Sequence, residues 1–250
     1  FIKKRISISC EDIGTDWIEI DNVDSLTKFV IGTKGDTLKK LKTMLKKSKL
    51  CNQYIFTVNE WEKNNKSIIK KIEENFPNQK LALRSSSTLE DSFSNSNAGA
   101  FESILDVSSI DEIEITNAVN KVISSYNNNQ INHQVLVQNM VENVIMSGVV
   151  FTRDMETGAP YYVISYDNST SRTDTVTSGS SNEIKTIMIS KSYSKDKIPN
   201  EFKRLIRSIV EIEDITNYEA LDIEFAINSS NEIYILQVRP IVSLSKKEDI

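Results

Sequence analysis

Histidine is almost missing from this sequence: His133 is the single one in 250 residues. A catalytic dyad or metal centre built on two imidazoles is therefore excluded, and any chemistry must rest on carboxylates, lysines, arginines and hydroxyls. Cysteine is nearly as scarce, with only Cys10 and Cys51. That excludes a zinc framework and argues for a reducing, cytoplasmic setting rather than a disulfide-stapled one. No apolar run approaches the ~20 residues that span a bilayer. Phe1-Ile2-Lys3-Lys4-Arg5 leads into an alternating strand rather than a signal peptide, and a chain opening on Phe reads as cut from a longer one. Positive charge is not in surplus, since 30 Lys and Arg face 35 Asp and Glu for a net −5. Neither a nucleic-acid binder nor a membrane-surface binder is expected, because both draw affinity from excess cations.

What is present suits a packed globular protein. Apolar residues make up 39% and charged residues 26%, with 9 Phe, 8 Tyr and 2 Trp, enough for one large domain or two small ones. The first half mixes helices and strands. Ile6–Cys10, Trp17–Ile20 and Phe29–Ile31 alternate as short strands, and Gly32-Thr33-Lys34-Gly35 turns into a helix with Leu38, Leu41 and Leu45 on one side. Lys39, Lys40, Lys42, Lys46 and Lys47 form its solvated face. Tyr54–Phe56 is a strand, and Thr57-x-x-Glu60 is a capping box for a helix that buries Trp61, Ile68 and Ile72 and stops before Pro77. Lys80–Arg84 is a strand that breaks into a polar stretch. Ala100–Val107 is another, and Ser109-x-x-Glu112 predicts a capped helix with Ile115, Val119, Val122 and Tyr126 inward.

After Asn127-Asn128-Asn129 the texture turns to strands: Val135–Val141, Gly148–Thr152, Tyr161–Tyr166 and Ile184–Ile189. Residues 165–182 hold ten Ser or Thr and read as a mobile loop, and His133 as an exposed loop residue. A helix from Asn200, its N-cap after Pro199, buries Phe202, Leu205, Ile209 and Ile212 before two closing strands, Ala220–Ile227 and Glu232–Val242. Two unlike halves, 1–130 and 131–250, predict an α+β protein of two lobes with a cleft between them.

The closing hairpin carries the most chemistry. In Asp222-Ile223-Glu224-Phe225 a strand puts both carboxylates on one face, and Gln237 and Arg239 share a face of the partner strand. If these faces pair, hard oxygen donors suited to Mg²⁺ meet a guanidinium suited to phosphate. An ordinary solvated carboxylate–Arg pair across the ladder explains the same spacing. Arg84-Ser85-Ser86-Ser87, where a strand ends, offers a fixed charge and hydroxyls to an anion, or is simply a capped turn. Lys34 lies at a helix N-terminus, where anions bind, although the spacing is not that of a Walker A loop. Gln138–Val141 crosses between the two textures, either as core strand or as a connector offering backbone groups to an adenine edge.

In order, these segments resemble the nucleotide-binding ATP-grasp domain of the phosphoenolpyruvate synthase and pyruvate phosphate dikinase family. The resemblance rests on Leu83–Asp91, Gly99-Ala100-Phe101-Glu102, Gln138-Asn139-Met140-Val141, Ser147–Asp154, Asp222-Ile223-Glu224-Phe225 and Gln237-Val238-Arg239-Pro240. It implies that Lys34 and Arg84 hold ATP phosphates and that Gln138, Met140 and Val141 frame adenine. It further implies that Glu224 and Gln237 ligate Mg²⁺, that Asp222 supports that site, and that Arg239 contacts phosphate, with Arg84 and Arg239 as the catalytic cations. The family cleaves ATP to AMP and phosphate, passing the β-phosphoryl group to a histidine on a swivelling domain and then to an acceptor held elsewhere in the protein. That histidine has no counterpart in this chain. Chemistry of this kind is positioning and charge neutralisation.

Three departures stand out. Gly32-Thr33-Lys34 has one glycine fewer than the family turn, no arginine falls within Asn127–Gln134, and Ser165–Asn182 replaces a glycine-rich segment. Ile31–Lys34, with Tyr166–Ser169 and Thr175–Gly179, resembles dikinase-type proteins of capsule pathways, among them the AMP-forming L-glutamine kinase of capsular phosphoramidate synthesis. Phosphoenolpyruvate synthases, antibiotic phosphotransferases and a catalytically silent nucleotide-binding module are the alternatives.

Overall fold

A computed structural model describes residues 31–87, 103–126, 133–170, 173, 184–193 and 197–241. The strands expected over Ile6–Cys10 and Trp17–Ile20 lie outside these residues, as do Thr88–Asp91, Gly99–Glu102 and Thr175–Gly179. The elements in chain order are α1 (Lys34–Leu41), β1 (Lys49–Leu50), β2 (Gln53–Thr57), α2 (Val58–Asn75), β3 (Lys80–Ser86), β4 (Ser103–Ser108) and α3 (Glu112–Ser124). They continue with β5 (Gln134–Asn139), β6 (Val144–Phe151), β7 (Tyr161–Asp167), β8 (Lys185–Ser190), α4 (Asn200–Thr216), β9 (Leu221–Asn228) and β10 (Ile233–Pro240).

Local chemistry sets the helix ends. The capping box at the start of α2 forms as expected: Thr57 accepts from the Glu60 amide while the Glu60 carboxylate accepts from the Thr57 amide at 2.7 Å. The cap of α3 is Asp111, not Ser109; the Asp111 carboxylate accepts from the amides of Ile113 and Glu114, both at 2.9 Å. Ser109 is occupied elsewhere, its hydroxyl accepting from the Gln79 amide at 2.9 Å. At α4 the N-cap is Pro199, without a side-chain hydrogen bond, so Asn200 is the first helical residue. The helix ends on Asn217, whose φ of 49° is left-handed. α1 closes at Leu41, which leaves Leu45 in the following turn, and Lys39, Lys42, Lys46 and Lys47 are exposed as a solvated face requires.

The strands form two sheets, one of six in the order β1-β10-β9-β6-β7-β8 and one of four in the order β2-β5-β3-β4. All pairs are antiparallel except β1 with β10. One face of the four-stranded sheet, with Leu81, Leu83, Val135 and Val137, packs on Trp61, Ile68 and Ile72 of α2 and Ile115, Val119 and Val122 of α3. One face of the six-stranded sheet, with Ile223, Phe225, Ile235 and Val238, packs on Phe202, Leu205, Ile209 and Ile212 of α4. Leu38 and Leu41 of α1 and Leu136 of β5 join this second core.

The architecture is the expected α+β, but sheet membership divides the chain differently from a cut at 130/131. β5 completes the four-stranded sheet by pairing with both β2 and β3, whereas α1 and β1, early in the chain, belong with the six-stranded sheet. The chain passes between the sheets at 51–52, from β1 to β2, and again at the short crossover Met140–Asn143. Strand β7 runs on to Asp167, beyond the expected Tyr166. The Asp167 carboxylate then holds a turn by accepting from the Ser169 amide at 2.7 Å, so the polar segment after β7 begins as an ordered cap.

Candidate functional site

The uncovered faces of the two sheets meet. On β3, Ala82, Arg84 and Ser86 alternate with the core residues Leu81 and Leu83; on β9, Asp222, Glu224 and Ala226 alternate with Ile223, Phe225 and Ile227. The contact between the faces is an ion pair, Arg84 Nη1 to Glu224 Oε2 at 3.1 Å. β3 starts at Lys80 beside the crossover, and β9 ends at Asn228 beside it, with Lys80 O accepting from the Met140 amide at 2.8 Å. Arg84 and Glu224 therefore each stand four residues from the hinge end, roughly 13 Å at the rise of a strand.

A bulge decides which side chains face the cleft. From the turn up to Ile235↔Phe225 the β9–β10 register would place Leu236 opposite Glu224 and turn Gln237 into the core. The ladder slips by one residue at Leu236, which gives Gln237↔Glu224 and Arg239↔Asp222. Arg239 Nε donates to Asp222 Oδ2 at 2.7 Å. The structure thus brings together Arg84, Asp222, Glu224, Gln237 and Arg239, and all but Arg239 are less than a tenth exposed.

Lys34 reaches the same cluster. It is the first residue of α1, buried, and close enough to favour the charged form of Asp222. Burial is the larger influence on Asp222 and pushes its pKa up, against the pull of Arg239. The turn that carries Lys34 tolerates the missing glycine because Thr33 serves as N-cap, its Oγ1 accepting from the Asp36 amide at 3.2 Å. Thr33 Oγ1 also lies 3.0 Å from Gln134 Oε1, and Ser86 Oγ accepts from the Gly35 amide at 3.1 Å. Gly35 packs closely on Ile55: a Cβ there would lie 2.6 Å from Ile55 Cδ1, so the end of that side chain would have to turn aside. Where a family arginine was expected, Gln134 ties this turn to the sheet. His133, expected to be exposed, is buried and stacked on Tyr126 with ring centroids 4.3 Å apart.

At the hinge end the cleft face turns apolar. Cys51, Val144, Ala226 and Leu236 cluster there, with Val141 and Tyr234 packed against them. A cavity of about 460 Å³ borders this end, lined by Lys80, Asn139, Met140, Val141, Tyr234 and neighbouring amides. Arg84 and Glu224 are not among its walls. Gln138 points into the cleft from β5, buried, with no partner for Nε2 among the described residues; Arg84 Nε is likewise buried and unpartnered there. Two unspent donors on one wall are what an anionic or heteroaromatic ligand would take up. The Met140 sulfur accepts from the Asp106 amide at 3.3 Å. Gln53, Cys51 and the Ala226–Leu236 floor were missed in the sequence. Only the alternation of Gln53 with Tyr54 and Phe56 in β2 hinted that it faces away from the core.

The donor set fits a divalent cation. Glu224 and Gln237 are adjacent hard oxygen donors across the ladder, and Mg²⁺ needs only one or two carboxylates when phosphates and waters complete its shell. No cluster of three or more His, Cys, Asp or Glu occurs among the described residues, so a cage of protein ligands alone is not built here.

A family model described as the pyruvate phosphate dikinase AMP/ATP-binding domain matches residues 33–171, just over half the chain. The chain belongs to this family. The D-alanine–D-alanine ligase of Coxiella burnetii is similar in structure, with a TM-score of 0.51 at 10% identity, covering 89% of this chain and 51% of the ligase. That of Helicobacter pylori gives 0.50 at 14%, covering 86% and 55%. This dikinase-family chain spans about half the length of those ligases and shares their ATP-grasp fold. No curated protein sequence matches it. The chain is an ATP-binding domain, and the family match covers Lys34, Arg84 and Gln138. Asp222, Glu224, Gln237 and Arg239 lie beyond the matched residues, so their place in the dikinase domain rests on the geometry above. Among the described residues, no helix is long and apolar enough to cross a membrane.

Proposed function

We propose that this chain is the ATP- and Mg²⁺-binding domain of an AMP-forming, dikinase-type phosphotransferase of the cytoplasm. The observation that carries the reading is the meeting of Arg84 from one sheet with Glu224, Gln237, Asp222 and Arg239 from the other, at one end of a cleft whose hinge end is apolar. The base lies on Val144, Ala226 and Leu236 against Gln138, Met140 and Val141. Arg84, Lys34 and Arg239 bind the phosphates and offset their negative charge as it redistributes in the transition state. Asp222 holds Arg239 in place. Glu224 and Gln237 would hold Mg²⁺, which would supply positive charge to offset that of the phosphates. The buried walls exclude water, which strengthens each of these contacts.

The β-phosphoryl group passes to a histidine on a swivelling domain of the same full-length protein, and then to an acceptor held by a further domain. The resemblance of Ile31–Lys34 and Tyr166–Ser169 to capsule-pathway dikinases makes L-glutamine the acceptor of choice. ATP with Mg²⁺ should raise the melting temperature of this chain. Glu224→Ala and Arg84→Ala should abolish the rise, each weakening ATP binding by about ten- to a hundredfold, as expected for a lost charge-assisted contact of about 1.5–3 kcal/mol. An undiminished shift in both variants overturns the site. The full-length enzyme should release AMP in the presence of L-glutamine; ADP as the sole nucleotide product would remove the dikinase reading.

A further inference from the structure

The ion pair that closes the far end of the cleft is made of the two groups the nucleotide site needs most. Arg84 Nη1 and Glu224 Oε2 sit 3.1 Å apart, both side chains nearly buried, and each comes from a different sheet. The cavity at the hinge stops short of them. Arg84 Nε, beside this bond, is buried without a partner among the described residues. A nucleotide that arrives alone finds Arg84 Nε unspent, but to take Nη1 as well it must break the pair, which strands the Glu224 carboxylate in a buried position among phosphates. A cation that arrives alone strands Arg84. Only the two together re-pair both charges, and an unpaired buried charge is costly enough to make this difference decisive.

We propose that the Arg84–Glu224 pair is a specificity device that makes the site select metal-bound nucleotide over free nucleotide, by coupling the two binding events through one exchangeable ion pair. The proposal rests on the ATP·Mg²⁺ reading above. It makes a prediction that a plain metal-ligand role for Glu224 does not: removing Glu224 should improve the binding of metal-free ATP. The gain should come from Arg84, now released to the phosphates, and not from the mere loss of a repelling charge. The two sources separate in a double-mutant cycle.

The test is isothermal titration of the 250-residue chain with ATP in excess EDTA, and with ATP in excess Mg²⁺. The variants are Glu224→Gln, Glu224→Asp and Arg84→Met, and each Glu224 change combined with Arg84→Met; circular dichroism and melting verify the fold. The expected result is metal-free ATP bound about tenfold more tightly by Glu224→Gln than by the wild type, a change of about 1.4 kcal/mol. Glu224→Asp, which keeps the charge but is one methylene short of Arg84, should gain as well, and it carries the test if Glu224→Gln fails to fold. Neither substitution should gain anything in the Arg84→Met background. Equal or weaker metal-free binding by folded Glu224 variants overturns the inference while the wild type still binds ATP with Mg²⁺. A gain that persists without Arg84 assigns the effect to charge repulsion and also overturns it. A wild type that binds ATP under neither condition sinks the ATP reading itself.

Discussion

Gly148 in the middle of β6 offers a demanding test of the architecture beneath the site. A Cβ built there would lie 2.2 Å from the Ser165 carbonyl oxygen and 2.8 Å from Tyr166 Cα, both backbone atoms of β7. A flexible side chain could swing away, but a paired strand cannot. Relieving the first contact requires β7 to retreat by roughly 1 Å or more, enough to break hydrogen bonds that join neighbouring strands about 4.8 Å apart. Overpacking costs about 1–3 kcal/mol, and each buried backbone group left unpaired about 1–3 kcal/mol more, so Gly148→Ala should destabilise the chain by about 3–5 kcal/mol. At about 2–4 °C per kcal/mol for a chain of this size, the melting temperature should fall by about 6–20 °C. β6 is also the neighbour of β9, with Val149↔Glu224 in register, so the folded fraction should bind ATP more weakly. Thermal melting followed by far-UV circular dichroism reads the first effect, and a melting temperature within about 2 °C of the wild type would refute the packing argument.

Two further outcomes follow from buried ionisable groups. Burial raises the pKa of Glu213 above its ordinary 4.5, outweighing the Lys191 and Tyr162 contacts that favour its charge. The stability this residue contributes is therefore complete below about pH 4.5 and is lost as pH climbs through the raised value. In Glu213→Gln that loss is absent, so the variant's melting temperature minus the wild type's should become more positive between about pH 4 and pH 7; a constant or falling difference contradicts the sign. The Cys51 thiol is buried and pushed up to about 11, chiefly by desolvation. It should resist alkylation at mildly alkaline pH and react at once in denaturant; rapid labelling of Cys51 itself in the native chain, read by peptide mapping, would mean that the apolar floor of the cleft is open.

Much of this molecule was legible before any coordinate. The capping box at Thr57 and the apolar spacing of α2 and α4 are local signals, set by hydrogen bonds and side chains within one or two turns, and they survive folding unchanged. The two-residue spacing of Asp222 and Glu224 likewise guarantees that a strand shows both to one side. What local pattern could not carry was partner and register. Nothing near Leu236 announces an extra residue in the ladder, because a bulge is selected by what both faces of the hairpin must bury. Yet that single slip turns Gln237 from the core toward Glu224 and sets Arg239 against Asp222. The same holds for α1 and β1, whose side chains read as part of the first half but find their apolar partners on β10 and α4, far along the chain. Residue order alone determined which charges the two strands could display. Long-range burial decided which of them meet, since only the packed sheets bring Arg84 and Glu224, 140 positions apart, within bonding distance.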